Sequence, residues 1–239
     1  MDGALPIPPD ADRPRRPLAV AFDVNETLTD LRPVADVFAR LGLGPGSLDW
    51  WFAVLLRDGI ALAASGGLAT FADLTRSALA EVAGASGHDL DEGAGDQVLE
   101  AMGRVPLHPD VPPALDRLAG AGVPAYALTN GGAAFAGALL SAGGVVDRLS
   151  GILSVEAVGH WKPRPEPYHH AAGVAGVPAD RLALVAVHPW DTHGAAAAGL
   201  VTGWVDRGGR PYPAVFSAPT VQAGDLVGVV DLLLRLPER

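Results

Sequence analysis

Asp23 lies at the end of an apolar run, Leu18 to Val24. A carboxylate at the end of such a run is placed to act as a nucleophile. A lone Asp there is also an ordinary turn or helix-cap residue. Its neighbours Asn25, Glu26 and Thr27 make the segment polar and turn-forming. Three further clusters have the same character. Thr129, Asn130 and Gly131 offer a hydroxyl and an amide where a second apolar run stops. Lys162 lies in a stiff stretch, with Pro163 and Pro165 close behind it. An ammonium beside a carboxylate keeps it ionised and attracts an anionic substrate. His188, Trp190 and Asp191 follow a third apolar run, and Asp191 could anchor the lysine, hold a metal or cap a helix.

Each cluster alone has a plainer use as a turn, a cap or a solvated surface. The composition shifts that balance. The chain has 16 arginines but one lysine, Lys162, and only two asparagines, Asn25 and Asn130. All three fall inside the clusters, which chance survival does not predict.

These side chains need elements to aim them. Leu18 to Val24, Val123 to Thr129, Leu182 to Val187 and Val201 to Val205 read as buried parallel strands, and Gly151 to Val155 as a shorter one. Pro112 to Ala121, Ala133 to Ala142, Glu166 to Ala175, Thr192 to Gly199 and Asp225 to Leu236 read as helices. This alternation predicts an α/β fold with a parallel sheet covered on both faces. The gap after the first strand is too long for a crossover and too apolar for disorder. Helices over Pro33 to Leu41, Leu48 to Ala64, Phe71 to Val82 and Gly95 to Met102, with a loop over 84–95, predict a helical insert. Residues 31–105 are thus expected to form a cap on a core of residues 1–30 and 106–239. Met1 to Pro17 reads as a loose tail.

The net charge of −10 argues against nucleic acid or an anionic membrane as the main partner. With no cysteine, thiolate metal sites and a cysteine nucleophile are excluded. No apolar stretch reads as a membrane span or secretory signal, so a cytoplasmic location is the default expectation. His169 and His170 are adjacent and point apart on a helix, and the group His188, Asp191 and His193 lacks metal-site spacing. No required cofactor or metal is expected, with weak Mg²⁺ binding at Asp23 and Asp191 left open. The apolar helix over 48–64 could pack on a second copy, which makes a homodimer one expectation.

The order of these motifs resembles the haloacid dehalogenase superfamily, and within it the L-2-haloacid dehalogenase branch, over nearly the whole chain from Leu18. Asp23 matches the nucleophile and Thr27 the threonine four residues on. Thr129-Asn130-Gly131 matches the Ser/Thr-Asn-Gly motif. Lys162-Pro163 with Tyr168, and Trp190-Asp191 with Gly194-Ala195, match the later two. The resemblance implies a Rossmann-like core, a helical cap, and hydrolysis of a carbon–halogen bond of a small anionic 2-haloacid through an aspartyl ester. Asp23, Thr27, Lys162 and Asp191 would be catalytic. Asn25, Thr129, Asn130, Tyr168, His188 and Trp190 would meet the substrate, with Trp51, Phe52 and Arg57 reaching it from the cap. Superfamily phosphatases carry Asp at the Asn25 position and a magnesium-binding Gly-Asp at Ala186-Val187, and both are missing here. The dehalogenases usually carry Tyr at Asn25, Ser at Ala186, Asn at His188 and an arginine just after a cap tryptophan. Here Phe52 follows Trp51 and the nearest arginine is Arg57. A magnesium-dependent phosphatase, a tailoring enzyme with the same nucleophile, and a catalytically inactive binding protein stand as alternatives.

Overall fold

A computed structural model describes residues 14–238. Six parallel strands form one sheet: β1 (Ala19–Phe22), β2 (Ala125–Thr129), β3 (Gly151–Ser154), β4 (Leu182–Ala186), β5 (Val201–Val205) and β6 (Val221–Ala223). Their order is β3-β2-β1-β4-β5-β6. The strand β1 is central because its residues are apolar on both faces. Val20 and Phe22 enter one hydrophobic cluster, Ala19 and Ala21 the other, following the period-two alternation of a strand. Burying a side chain such as Phe22 contributes about 1.5–3 kcal/mol. The small alanines on the second face let helices approach closely.

The chain leaves β1 to one side for β2 and β3, and to the other for β4, β5 and β6. That reversal opens a crevice at the carboxyl ends of β2, β1 and β4. Five helices cover the sheet: α5 (Val111–Gly120), α6 (Ala133–Ala142), α7 (Pro165–Ala175), α8 (Pro189–Ala197) and α9 (Leu226–Leu234). Between β1 and α5 lie α1 (Ala35–Arg40), α2 (Ser47–Ser65), α3 (Phe71–Ala85) and α4 (Ala94–Met102), packed on one another. The segments leading into and out of these four helices run side by side. Thr29 and Leu107 form an antiparallel bridge, and Asp30 N–H donates to Pro106 O at 2.9 Å. Among the described residues no helix is long and apolar enough to cross a membrane.

Three expectations need correction. The strand β6 is additional to the five expected: it has three partly exposed residues and no apolar run, and exists through its pairing with β5. The helix α8 starts three residues before the expected Thr192, because Pro189 is preset for a first helical position. This puts Trp190 and Asp191 in its first turn. The expected loose tail is tied down where it is described. Arg16 N–H donates to Pro237 O at 2.7 Å, and Arg15 pairs with Asp180. The remainder of that tail, residues 1–13, lies outside the described residues.

Candidate active site

The carboxylate of Asp23 follows directly on β1 and is buried, with 8% of its side chain accessible. Lys162, wholly buried, comes from the loop between β3 and α7. Its Nζ donates to Asp23 Oδ1 at 2.9 Å, Asp191 Oδ2 at 2.6 Å and Leu128 O at 3.0 Å. The ammonium thus spends its three protons on three oxygens. Burial alone would push the Asp23 carboxyl up. The charges of Lys162 and His188, with hydrogen bonds from Lys162 and Thr27, outweigh it and hold the group below its usual range. For Asp191 burial wins over Lys162 and the pKa rises. Lys162 itself lies above its ordinary value: burial opposes its charge, but Asp191 and Asp23 more than compensate.

The loop carrying Lys162 is clamped by Asn130. Its Oδ1 accepts from Lys162 N–H at 3.0 Å, and its Nδ2 approaches Lys162 O at 3.5 Å. Thr27 Oγ1 donates to Asp23 Oδ2 at 2.8 Å and accepts from Val187 N–H at 3.1 Å, joining the ends of β1 and β4. Tyr168, wholly buried on α7, donates to Asp191 Oδ1 at 2.7 Å. Thr129 Oγ1 accepts from Gly131 N–H at 2.9 Å.

These contacts correct several expected substrate contacts. Tyr168 is fully buried, and Asn130 spends its amide on the lysine loop. They hold Asp191 and Lys162 rather than face a substrate, while Thr27, expected among the catalytic residues, is buried and holds Asp23. The Thr129 oxygen serves its own turn, leaving only its hydroxyl proton without a protein acceptor among the described residues. Trp51 is also fully buried; its Nε1 donates to Thr75 O at 3.0 Å, so it joins α2 to α3 inside the helical layer. Arg57 faces outward and pairs with Glu81 at 2.6 Å and Asp58 at 2.8 Å. The helical phase of α2 turns both away from Asp23 and leaves Phe52 toward it.

The crevice wall beside Asp23 is aromatic. The His188 ring stacks on Trp190 at 5.3 Å between centroids and meets Phe52 at 6.0 Å. His188 Nε2 lies 3.3 Å from Asn25 O, 3.6 Å from Glu26 Oε2 and 3.8 Å from Asp23 Oδ2. All three neighbours are acceptors, an arrangement that favours the tautomer with its proton on Nε2. Glu26 was not singled out by residue type, although two carboxylates in one turn are a signal for acid–base work. Its backbone is left-handed, with φ 61°, a conformation a side chain adopts at a cost of about 1–2 kcal/mol. Such strain concentrates at functional sites. Burial raises the Glu26 pKa, and the nearby Asp23 charge adds to the rise while His188 opposes it.

A cation bridging Asp23 and Asp191 does not fit this donor set. Both Asp191 oxygens are taken, by Lys162 and Tyr168, and the ammonium fills the space between the two carboxylates. This disfavours the weak Mg²⁺ site left open for the pair.

Known proteins resemble this chain in sequence and fold. Residues 17–199 match the family of haloacid dehalogenase-like hydrolases. The chain is 29% identical to an (S)-2-haloacid dehalogenase of Pseudomonas putida, over 90% of this chain and 97% of that one. It is 31% identical to an (S)-2-haloacid dehalogenase of Xanthobacter autotrophicus, over 79% and 75%. A solved L-2-haloacid dehalogenase from Xanthobacter autotrophicus with chloropropionic acid covalently bound superposes with a TM-score of 0.82, at 27% identity, over 91% of this chain and 98% of that one. With its parallel sheet, its buried Asp–Lys–Asp triad and this match, the chain belongs to the haloacid dehalogenase-like hydrolases.

Proposed function

We propose that this protein hydrolyses the carbon–halogen bond of a small 2-haloacid through an ester on Asp23. The observation that carries the reading is Lys162 Nζ held between Asp23 Oδ1 and Asp191 Oδ2 at 2.9 and 2.6 Å. A buried nucleophile kept ionised by a fixed cation is what an attack on an alkyl carbon requires. Asp23 attacks the carbon bearing the halogen, the carbon–halogen bond breaks, and halide leaves. Phe52, Trp190 and His188 form the wall available to the leaving group, with Asn25 at its edge. The N-terminus of α6 at Gly132 has no side-chain cap, and its free N–H groups suit the substrate carboxylate. Residues 31–105 serve as the cap over the core of 1–30 and 106–239; the paired crossing at Thr29 and Leu107 supports that division. No cofactor is needed for either step.

The second step needs a base for water. Asp191 is fully buried and accepts from Lys162 and Tyr168, which leaves Glu26 the more accessible carboxylate near Asp23. Glu26 is half-open, 42% accessible, and lies beside His188. Water attacks the Asp23 carboxyl carbon and gives its proton to Glu26. The ester C–O bond then breaks, and the departing alkoxide takes the Nε2 proton of His188. The new Asp23 acid proton returns to His188, Glu26 releases its own to solvent, and the product is a 2-hydroxy acid.

The test is chloride release from L-2-chloropropionate, run with and without EDTA. Metal-independent chloride is the expected result. No chloride together with EDTA-sensitive phosphate release from an aryl phosphate would overturn the reading. Glu26→Gln and His188→Asn should each slow turnover by roughly 10²–10³-fold while leaving a first burst of chloride. Mass spectrometry should then find the ester trapped on the Asp23 peptide. An unchanged steady state would remove the pair from the mechanism. Arg57→Ala should leave kcat and KM within about twofold, since its exposed ion pairs contribute little.

A further inference from the structure

The residue before the lysine has no part in the chemistry at Asp23, yet it joins the site to the helices above it. Trp161 is 2% exposed. Its six-membered ring fills a notch in α2 that exists only because residue 59 is glycine. A Cβ on Gly59 would lie 2.4 Å from that ring. The same ring system stacks on Phe71 at the start of α3, 6.3 Å between centroids and 12° between planes. Its Nε1 donates to Ala69 O at 3.2 Å. Three residues on, Arg164 Nη1 donates to Ala63 O of α2 at 3.3 Å. The segment 161–164 is therefore fastened to α2 and α3 on both sides of Lys162.

The core grips the same segment from below. Asn130 binds the Lys162 backbone. Pro163 presses on Gly194 of α8, where an added Cβ would meet the proline ring at 2.5 Å. Lys162 thus projects from a strap held between the cap helices on one side and Asn130 after β2 and the middle of α8 on the other.

From this we infer that Trp161 is a positioning residue whose seat on Gly59 couples the placement of the cap to the aim of Lys162 at Asp23. The inference rests on the dehalogenase reading of the same site. Lifting α2 from its seat drags on the strap and lengthens the Nζ to Asp23 contact. Asp23 is then fully ionised and oriented only beneath a seated cap.

The experiment compares Gly59→Ala, Trp161→Leu, the double variant and Trp161→Phe. Gly59→Ala forces the indole from its notch, and a misplacement of about 1 Å costs on the order of 10²-fold in rate. The expected loss is in kcat, with KM changed far less. Lys162 lowers the Asp23 pKa, so its retreat raises that pKa and moves the acid limb of the rate profile to higher pH. The other charged groups near that carboxylate, His188, Glu26 and Asp191, are unchanged in these variants. In Gly59→Ala/Trp161→Leu the smaller side chain accepts the new methyl. Part of the lost rate should return, as coupled rather than additive effects. Trp161→Phe keeps a ring in the notch and should act more mildly than Trp161→Leu.

Carboxyl ¹³C NMR titration of Asp23 in the wild type and Gly59→Ala reads the same displacement without any substrate. A wild type that releases no halide from 2-haloacids refutes the proposed activity; a raised Asp23 pKa in Gly59→Ala would still support the coupling. An unmoved Asp23 pKa and acid limb in folded Gly59→Ala would overturn the coupling, as would strictly additive losses in the double variant.

Discussion

Asp23→Asn is expected to lower halide release by on the order of 10⁴-fold or more, with no ester detectable on residue 23. The amide is nearly isosteric, so packing around β1 is retained. It has no charge to share with Lys162 and is a very poor nucleophile. The side chain is buried beside Thr27 and Lys162, and the neighbouring Asp191 is wholly buried with both oxygens bonded, so it does not take over the attack. Single-turnover chloride release and intact-mass measurement check the outcome together. Wild-type-like chloride in this variant would mean that the attacking group lies elsewhere.

Lys162→Met should cost both rate and stability. Methionine fills a similar volume but leaves two buried carboxylates without their cation. Breaking a buried charge network by removing one partner costs about 3–5 kcal/mol. The deficit has a pH dependence. In the wild type the Asp23 pKa is depressed, so its contribution to stability is present above the unfolded value and is lost as pH falls through the folded one. In the variant the carboxylates are left to burial and mutual repulsion, which raise their pKa values. The difference between the proteins should therefore be greatest near neutral pH and shrink in acid, where the carboxylates are protonated in both. Chemical denaturation at several pH values measures it. Turnover should fall by roughly 10³-fold or more, because Asp23 is no longer held charged and aimed at neutral pH. An acid limb of the rate profile unmoved by the substitution would contradict the role given to Lys162.

Much of this site is legible in the sequence. Buried parallel strands must be apolar on both faces, so β1, β2, β4 and β5 stand out as short apolar runs. The polar residues that end three of those runs, and the lone lysine on its proline-stiffened loop, mark the crevice by residue type and position alone. The nucleophile, the lysine and Asp191 come together as those marks require. The neighbouring assignments fare less well. Thr27, Asn130 and Tyr168 belong to the site, but their hydrogen bonds are spent on its framework. Residue type and spacing reveal that a side chain is near a site, and not which of its protons and lone pairs are already used.

By itself, then, the sequence determined the layered α/β architecture, the long helical insert and the polar residues at the strand ends, because each follows from local periodicity and composition. Only the tertiary structure decided how α2 is rotated, turning Phe52 toward His188 and sending Trp51 and Arg57 elsewhere. A helix with apolar residues on most of its faces carries no unique inward side, and packing against neighbouring helices selects one. The indole notch at Gly59 is likewise a product of packing between segments far apart in the chain. No local pattern could encode it, since it depends on what the folded molecule brings up against that one residue.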